Sequence, residues 1–239
     1  MTMRILVLNG APGGPGAAAL LGCVTRDGGG GDGGGPRGAV TRTLATRVLP
    51  GRGGAESMPA ACTALLAECG WRPGDLDLIA AVIGPGSFTG LRAALALAHG
   101  LALGAGCDLV GVTSGEAMAP DLRQEAGADR AALCLSVARR GRIFVEQDGA
   151  VRAHAVADYA LPPGRLLLAG DAAADILAAR GDGRSDIALS RLTVPDSGMI
   201  ARAALARRES GLPARDVLPL YVDPPEARLP AAGLRPAPC

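Results

Sequence analysis

The chain has 239 residues, enough for one large domain or two modest ones around an ample core. Hydrophobic residues supply 49% of it and aromatics only 2%, so the interior has to be built from Ala, Leu, Val and Ile. All 24 basic residues are arginine, which excludes Schiff-base, phosphate-loop and catalytic lysines, and a formal net charge of +1 lacks the basic excess of a dedicated nucleic-acid binder.

Residues 3–8 (MRILVL) form an apolar run closed by Asn9-Gly10 and predict a buried strand. The run meets Pro and Gly too early for a signal peptide. Residues 17–25 predict a second strand and 39–48 a third, and the glycine run between them at 28–35 (GGGGDGGG) reads as a flexible, enlarged hairpin tip. Ser57 is placed to cap a helix with Pro59 in its first turn; Met58, Cys62, Leu65, Leu66 and Cys69 then share one face, and Gly70 ends it. Residues 76–83 are the next strand, followed by a glycine-rich turn and a helix to about residue 104. Residues 108–112 form another strand, and Ser114 is placed to cap the helix after it.

In the second half, 131–138 and 142–147 predict a hairpin turning at Arg139-Arg140-Gly141. Residues 166–169 predict a strand and 171–179 a helix, and Asp196 caps a last helix through residue 208. The stretch from 219 to 239 is proline-rich and irregular. Strands alternating with helices imply an α/β architecture with a mixed sheet. Three strands followed by alternating helix and strand, then a looser repetition, predict a duplicated actin-like (ribonuclease H-like, ASKHA) fold. Its two subdomains are expected at 1–112 and 113–226, with a tail at 227–239.

The strand-to-helix turn reads Gly84-Pro85-Gly86-Ser87-Phe88-Thr89-Gly90. Gly84, Gly86 and Gly90 allow positive φ and close backbone approach, Ser87 and Thr89 can cap the helix, and its free N–H groups suit an anion. The turn lacks the GK[ST] of a Walker A loop and the glycine spacing of a nucleophile elbow. A tight connection without a ligand is the equally simple reading.

The six cysteines are scattered without CxxC spacing, so they read as small buried hydrophobes in a reducing compartment, and no zinc or redox motif is indicated. The two histidines, His99 and His154, are too far apart for a helical metal motif, and His99 is expected to be a core or interface residue. Neither catalytic nor metal-binding residues are expected. The most apolar helix candidate, near 90–104, is shorter than a membrane span, so a cytoplasmic protein is expected.

The string GPGSFTGLR, with the AHGLAL that ends its helix and the LVGVTS strand at 109–114, resembles the signature of the TsaB (YeaZ) family. The opening MRILVL, the LSVARRGRIFV hairpin at 135–145 and the VLPLYVDPPEA element at 217–227 are similar to family segments in register. Three departures stand out. Asn9 replaces the aspartate that helps hold a metal on nucleotide phosphates in actin-like ATPases; Val137 and Arg142 replace the hairpin's Asp and Glu; and Asp223 replaces an Arg. Asn9 is a poorer ligand for a hard cation, which weakens any expectation of ATP hydrolysis.

The resemblance implies a non-catalytic subunit that dimerises with TsaD, the paralogue that transfers threonylcarbamoyl to adenosine next to the tRNA anticodon. It implies the ATPase TsaE as a further partner and tRNA as an indirect one. No cofactor is expected on this chain beyond a nucleotide that the TsaB–TsaD–TsaE assembly could hold at the degenerate loop of Gly84, Gly86, Ser87, Thr89 and Gly90. The helix near 90–104 is apolar on more than one face. Met58, Cys62 and Leu65, with Leu91, Ala94, Leu95, Ala98 and Ala102, are the expected partner interface, the alternative being that both faces lie in the intramolecular core. Arg139, Arg140 and Arg142 read as a solvated turn or as a contact for tRNA or partner. The competing functions are an active ATPase or kinase of the actin-like class, a peptidase, and a homodimeric scaffold.

Overall fold

Side chains leave β1 (Thr2–Asn9) alternately in two directions, and that alternation sets the layers of the molecule. Ile5 and Val7 enter one core with Val24, whereas Leu6 and Leu8 enter another with Leu21 and Cys23. The computed structural model describes residues 2–12, 18–28, 40–50, 54–210 and 215–222. The glycine run from residue 29 onward, Asp223, Cys239 and the tail at 227–239 lie outside the described residues.

β1 pairs antiparallel with β2 (Ala18–Asp27), and β2 with β3 (Val40–Pro50). On its other side β1 pairs in parallel with β4 (Leu78–Gly84), and β4 with β5 (Asp108–Thr113). Parallel neighbours need a crossover; α1 (Gly54–Glu68) leads into β4, and α2 (Phe88–Ala105) joins β4 to β5. α3 (Ser114–Ala126) follows. The second sheet holds β6 (Ala131–Val137), β7 (Arg142–Gln147), β8 (Ala150–Ala155), β9 (Leu166–Ala169) and β10 (Ile187–Leu189). α4 (Ala173–Arg180) lies between β9 and β10, and α5 (Ser197–Glu209) comes last.

The first sheet runs β3-β2-β1-β4-β5 and the second β10-β9-β6-β7-β8, so β6 to β10 repeat the places of β1 to β5. This is the duplicated actin-like α/β fold expected from the sequence, two mixed sheets flanked by helices. The repeat omits one helix: residues 156–165 join β8 to β9 where α1 stands in the first half. Arg184 holds this connection by donating to the carbonyls of Pro162 (2.7 Å) and Gly164, and Arg180 donates from Nε to the carbonyl of Tyr159 (2.9 Å).

The last helix of each half crosses to the other. α3 packs on β6 and α5, while α5 lies across the first sheet. One core therefore joins the halves, with Ile5, Leu78 and Val82 against Met118 and Leu122 of α3 and Ile200 and Ala204 of α5. The outer face of the first sheet is covered by α1 and α2, and that of the second by α4.

Several boundaries differ from expectation for local reasons. α1 begins at Gly54, so Ser57 lies in its first turn, donating to the Gly54 carbonyl (3.2 Å), and Pro59 sits inside the helix. A 3₁₀ turn at Pro73–Asp75 delays β4 to Leu78. Thr113, not Ser114, caps α3: its Oγ1 accepts the Glu116 N–H (3.1 Å) while Glu116 accepts the Thr113 N–H (3.3 Å), a reciprocal capping box. Asp171 precedes α4 and accepts the Val137 N–H on Oδ1 (2.8 Å). Asp196 caps α5 as expected, accepting the Met199 N–H (2.7 Å). β8 and β10 add two strands to the expected set.

Candidate functional site

The Gly84–Gly90 turn closes on the chain that leaves β1. The Ser87 N–H donates to the Ala11 carbonyl (2.7 Å), and Ser87 Oγ accepts the Gly90 N–H (3.3 Å) as the α2 cap. Thr89 is exposed inside the first turn and is not the cap. A Cβ at Gly86, where φ is 157°, would run into the Ala11 carbonyl, and one at Gly10 or Gly90 into the carbonyl of the other. Two backbone segments thus meet directly, which only glycine permits. Asn9 is 1% exposed, and its Oδ1 accepts the Ala11 N–H (3.0 Å), turning the chain toward the loop.

Between the two halves, Asn9, Ala11, Pro85, Gly86, Ser136 and Asp171 line a crevice of about 10 Å³. That is the room of about one water molecule. Among the described residues, no three His, Cys, Asp or Glu converge to hold a metal.

The eight expected interface residues come together, but in this chain's own core. Met58, Cys62, Leu65, Leu91, Ala94, Leu95, Ala98 and Ala102 are all buried against Leu6, Leu8, Ile79 and Ile83. Their side chains cover the sheet and present nothing to a partner, which corrects the expectation at those positions. What faces outward on α2 is the stripe Phe88, Arg92, Ala96, Gly100 and Leu103 at helical spacing, with Leu103 87% exposed. On the adjoining α1 the outward residues include Pro59, Ala60, Thr63, Ala64 and Ala67.

At the start of α2, Phe88 (53% exposed) and Tyr221 (63% exposed) share one cation. The Arg92 guanidinium carbon lies 3.3 Å from the Phe88 ring centroid, and Arg92 donates to the Tyr221 hydroxyl (2.6 Å). The segment carrying Tyr221 is tied down by the Leu220 N–H to the Ile83 carbonyl (2.8 Å) and by His99 Nε2 donating to the Val217 carbonyl (2.7 Å). His99 is exposed and acts as this tether. Sequence reasoning missed the cluster, although exposed aromatics in a chain with two Phe and two Tyr are a usable signal.

Cys23, Cys62 and Cys134 are buried and unpaired, and Cys69 and Cys107 half-buried and unpaired. Burial pushes the Cys62 thiol up to about 11 and raises those of Cys23, Cys107 and Cys134 as well, so these groups are poor nucleophiles. Glu146 is a buried acid that sequence reasoning passed over; a lone carboxylate within the apolar β7 was its signal. It accepts the Thr113 hydroxyl and the Gly115 N–H (2.8 Å).

The family model for TsaD, tRNA N6-adenosine threonylcarbamoyltransferase, matches residues 51–203. The chain belongs to the TsaD/TsaB (YeaZ) family. A tRNA N6-adenosine threonylcarbamoyltransferase of Maricaulis maris is 41% identical over 95 residues, covering 39% of this chain and 24% of that protein. The tRNA threonylcarbamoyladenosine biosynthesis protein TsaB of Escherichia coli is 39% identical over 70 residues, covering 29% of this chain and 30% of that protein. The chain thus spans less than a third of the length of either relative. In fold, it is similar to a Pseudomonas aeruginosa protein described as similar to peptidase YEAZ (TM-score 0.65, 19% identity, 92% of this chain and 100% of that one). It is likewise similar to YeaZ from Pseudomonas aeruginosa (TM-score 0.62, 20% identity, 92% and 99%).

Set in the TsaD/TsaB family, the crevice beside Asn9 is where an actin-like protein would seat nucleotide phosphates and their metal. The residues present do not fit that group. Asn9 spends its carboxamide oxygen on Ala11, Asp171 accepts the Val137 N–H, and the Gly10–Gly90 contact fills the space before the α2 N-terminus.

Proposed function

We propose that this chain is a non-catalytic subunit of the machinery that makes threonylcarbamoyladenosine on tRNA. In this reading it dimerises with a TsaD-type protein and supports threonylcarbamoyl transfer to adenosine next to the anticodon of ANN-decoding tRNAs. TsaE joins the assembly, tRNA is met through the complex, and the protein works in the cytoplasm.

The observation that carries the reading is the uncovered face of α1 and α2. A helix whose inner stripe is fully buried has met its need for a core, yet α2 keeps Phe88, Ala96 and Leu103 outside. Large apolar side chains left exposed on one helix face support a protein interface there. Small residues at Ala60, Ala64 and Gly100 let a partner helix approach closely, and the Phe88–Arg92–Tyr221 cluster has the aromatic and arginine character of an interface anchor. The narrowness of the crevice supports the non-catalytic part of the proposal.

Reconstituted transfer tests the proposal. Tenfold more modified tRNA is expected when this chain is added to the TsaD protein of the same genome, about 1.4 kcal/mol of activation. The isolated chain is expected to turn over no ATP with magnesium. Equal modification with and without the chain would refute the subunit role, and magnesium-dependent turnover would restore the ATPase reading.

A further inference from the structure

We propose that a second cleft, formed by α3, α5 and the end of β7, binds a small ligand bearing a phosphate group. It does not depend on the subunit reading, and it lies away from the Gly84–Gly90 loop. Its volume is about 490 Å³, within the range of small-molecule sites, roughly 300–1,000 Å³. Leu122, Cys134 and Ala203 give it an apolar wall, and arginines from three separate elements stand around it: Arg123 of α3, Arg207 of α5 and Arg215 of the 215–222 segment.

The lining carries three arginines and three carboxylates, and the guanidiniums are unevenly paired with them. Glu116 Oε1 accepts from Arg207 (3.0 Å) and Oε2 from Arg215 (2.7 Å). One carboxylate thus serves two guanidiniums, in a place where both arginines are largely withdrawn from water (side chains 15% and 31% exposed). Among the described residues no carboxylate pairs with Arg123. The facing acids are Glu146 at the inner end and Asp148 at the mouth. Glu146 already accepts the Thr113 hydroxyl on one oxygen and the Gly115 N–H on the other.

The shape of the guanidinium selects the ligand. Each carries five N–H donors in a planar fork that matches oxyanion geometry. A phosphate monoester, with two charges and three terminal oxygens, engages several such forks at once. Phosphate could come from a free small ester or from an RNA backbone. The concave form with an apolar wall fits the free ester, since a backbone would be read on an open surface.

Calorimetric titration of the full chain with inorganic pyrophosphate, and separately with a short single-stranded RNA, tests this. Pyrophosphate is expected to bind with Kd below about 1 mM. Arg123→Gln and Arg215→Gln are each expected to weaken it about tenfold or more, equivalent to ~1.4 kcal/mol. Glu116→Gln, whose amide oxygen can still accept the Thr113 N–H, is expected to tighten binding several-fold by releasing two guanidiniums. A merely structural Glu116 would not produce that gain. Thermal melting reports the fold of each variant; if Arg215→Gln unfolds, the exposed Arg123 decides. No binding of pyrophosphate, RNA binding without pyrophosphate binding, or folded arginine variants that bind as the wild type does would each overturn the proposal.

Discussion

Glu146, 5% exposed, has lost most of its hydrating water, and two donors from the start of α3 replace it. Burial is the larger effect, so its carboxyl titrates above the usual glutamate range, with the Thr113 and Gly115 hydrogen bonds opposing. A raised folded-state value means that the unfolded chain gives up this proton first. The contribution of the group to stability is complete below the unfolded pKa and fades as pH rises through the folded one. Glu146→Gln keeps the shape and an acceptor oxygen but cannot ionise. Its stability relative to wild type should therefore rise with pH across that window, after starting within about 1 kcal/mol at low pH. Urea melts at several pH values would measure the difference, and a flat difference would show that Glu146 does not titrate as described. At this scale the sequence was partly legible. Asn9 was visible as a departure from an acidic pattern, but its bond to Ala11 depends on a turn that residue type does not reveal.

On α1 and α2 the sequence foretold helices, their burial and an apolar surplus, yet misplaced the outward face. A helix apolar all round, with Ala and Gly on every side, gives no phase from which to tell sheet side from solvent side. Packing decides it: Ala94 and Ala98 meet the sheet, and Ala96 and Gly100 do not. Ala98→Arg should therefore unfold the chain, since it forces an unpaired guanidinium into a full core at a cost above about 4 kcal/mol. Gly100→Arg points into open space and should keep the melting temperature within a few degrees while abolishing partner binding. Circular dichroism melting separates the two; a folded Ala98→Arg protein would contradict the packing. The two unforeseen strands differ in how visible they were. β8 is announced by Asp148-Gly149, both at positive φ, a two-residue hairpin signature. β10 is three residues long and is held by its pairing with β9, which no local pattern carries.

Across the whole molecule the duplication was legible because the order of elements repeats, and element order survives divergence of the residues themselves. The crossing of α3 and α5 between the sheets was not legible, nor was the closing of the crevice at Gly10 and Gly90. Both are contacts between segments far apart in sequence, set by backbone proximity and not by any periodicity. Together they describe a fused two-sheet body with a narrow crevice between its halves and large apolar side chains exposed on α2. The central proposal is that this face exists to hold a TsaD-type subunit. Co-purification of the chain with the TsaD protein of the same genome, with mass read by light scattering, tests it most directly. A stable one-to-one complex is expected, one that Ala64→Arg and Gly100→Arg dissolve while both proteins stay folded. Separate elution of the two wild-type proteins, or a complex that both variants leave intact, would contradict it.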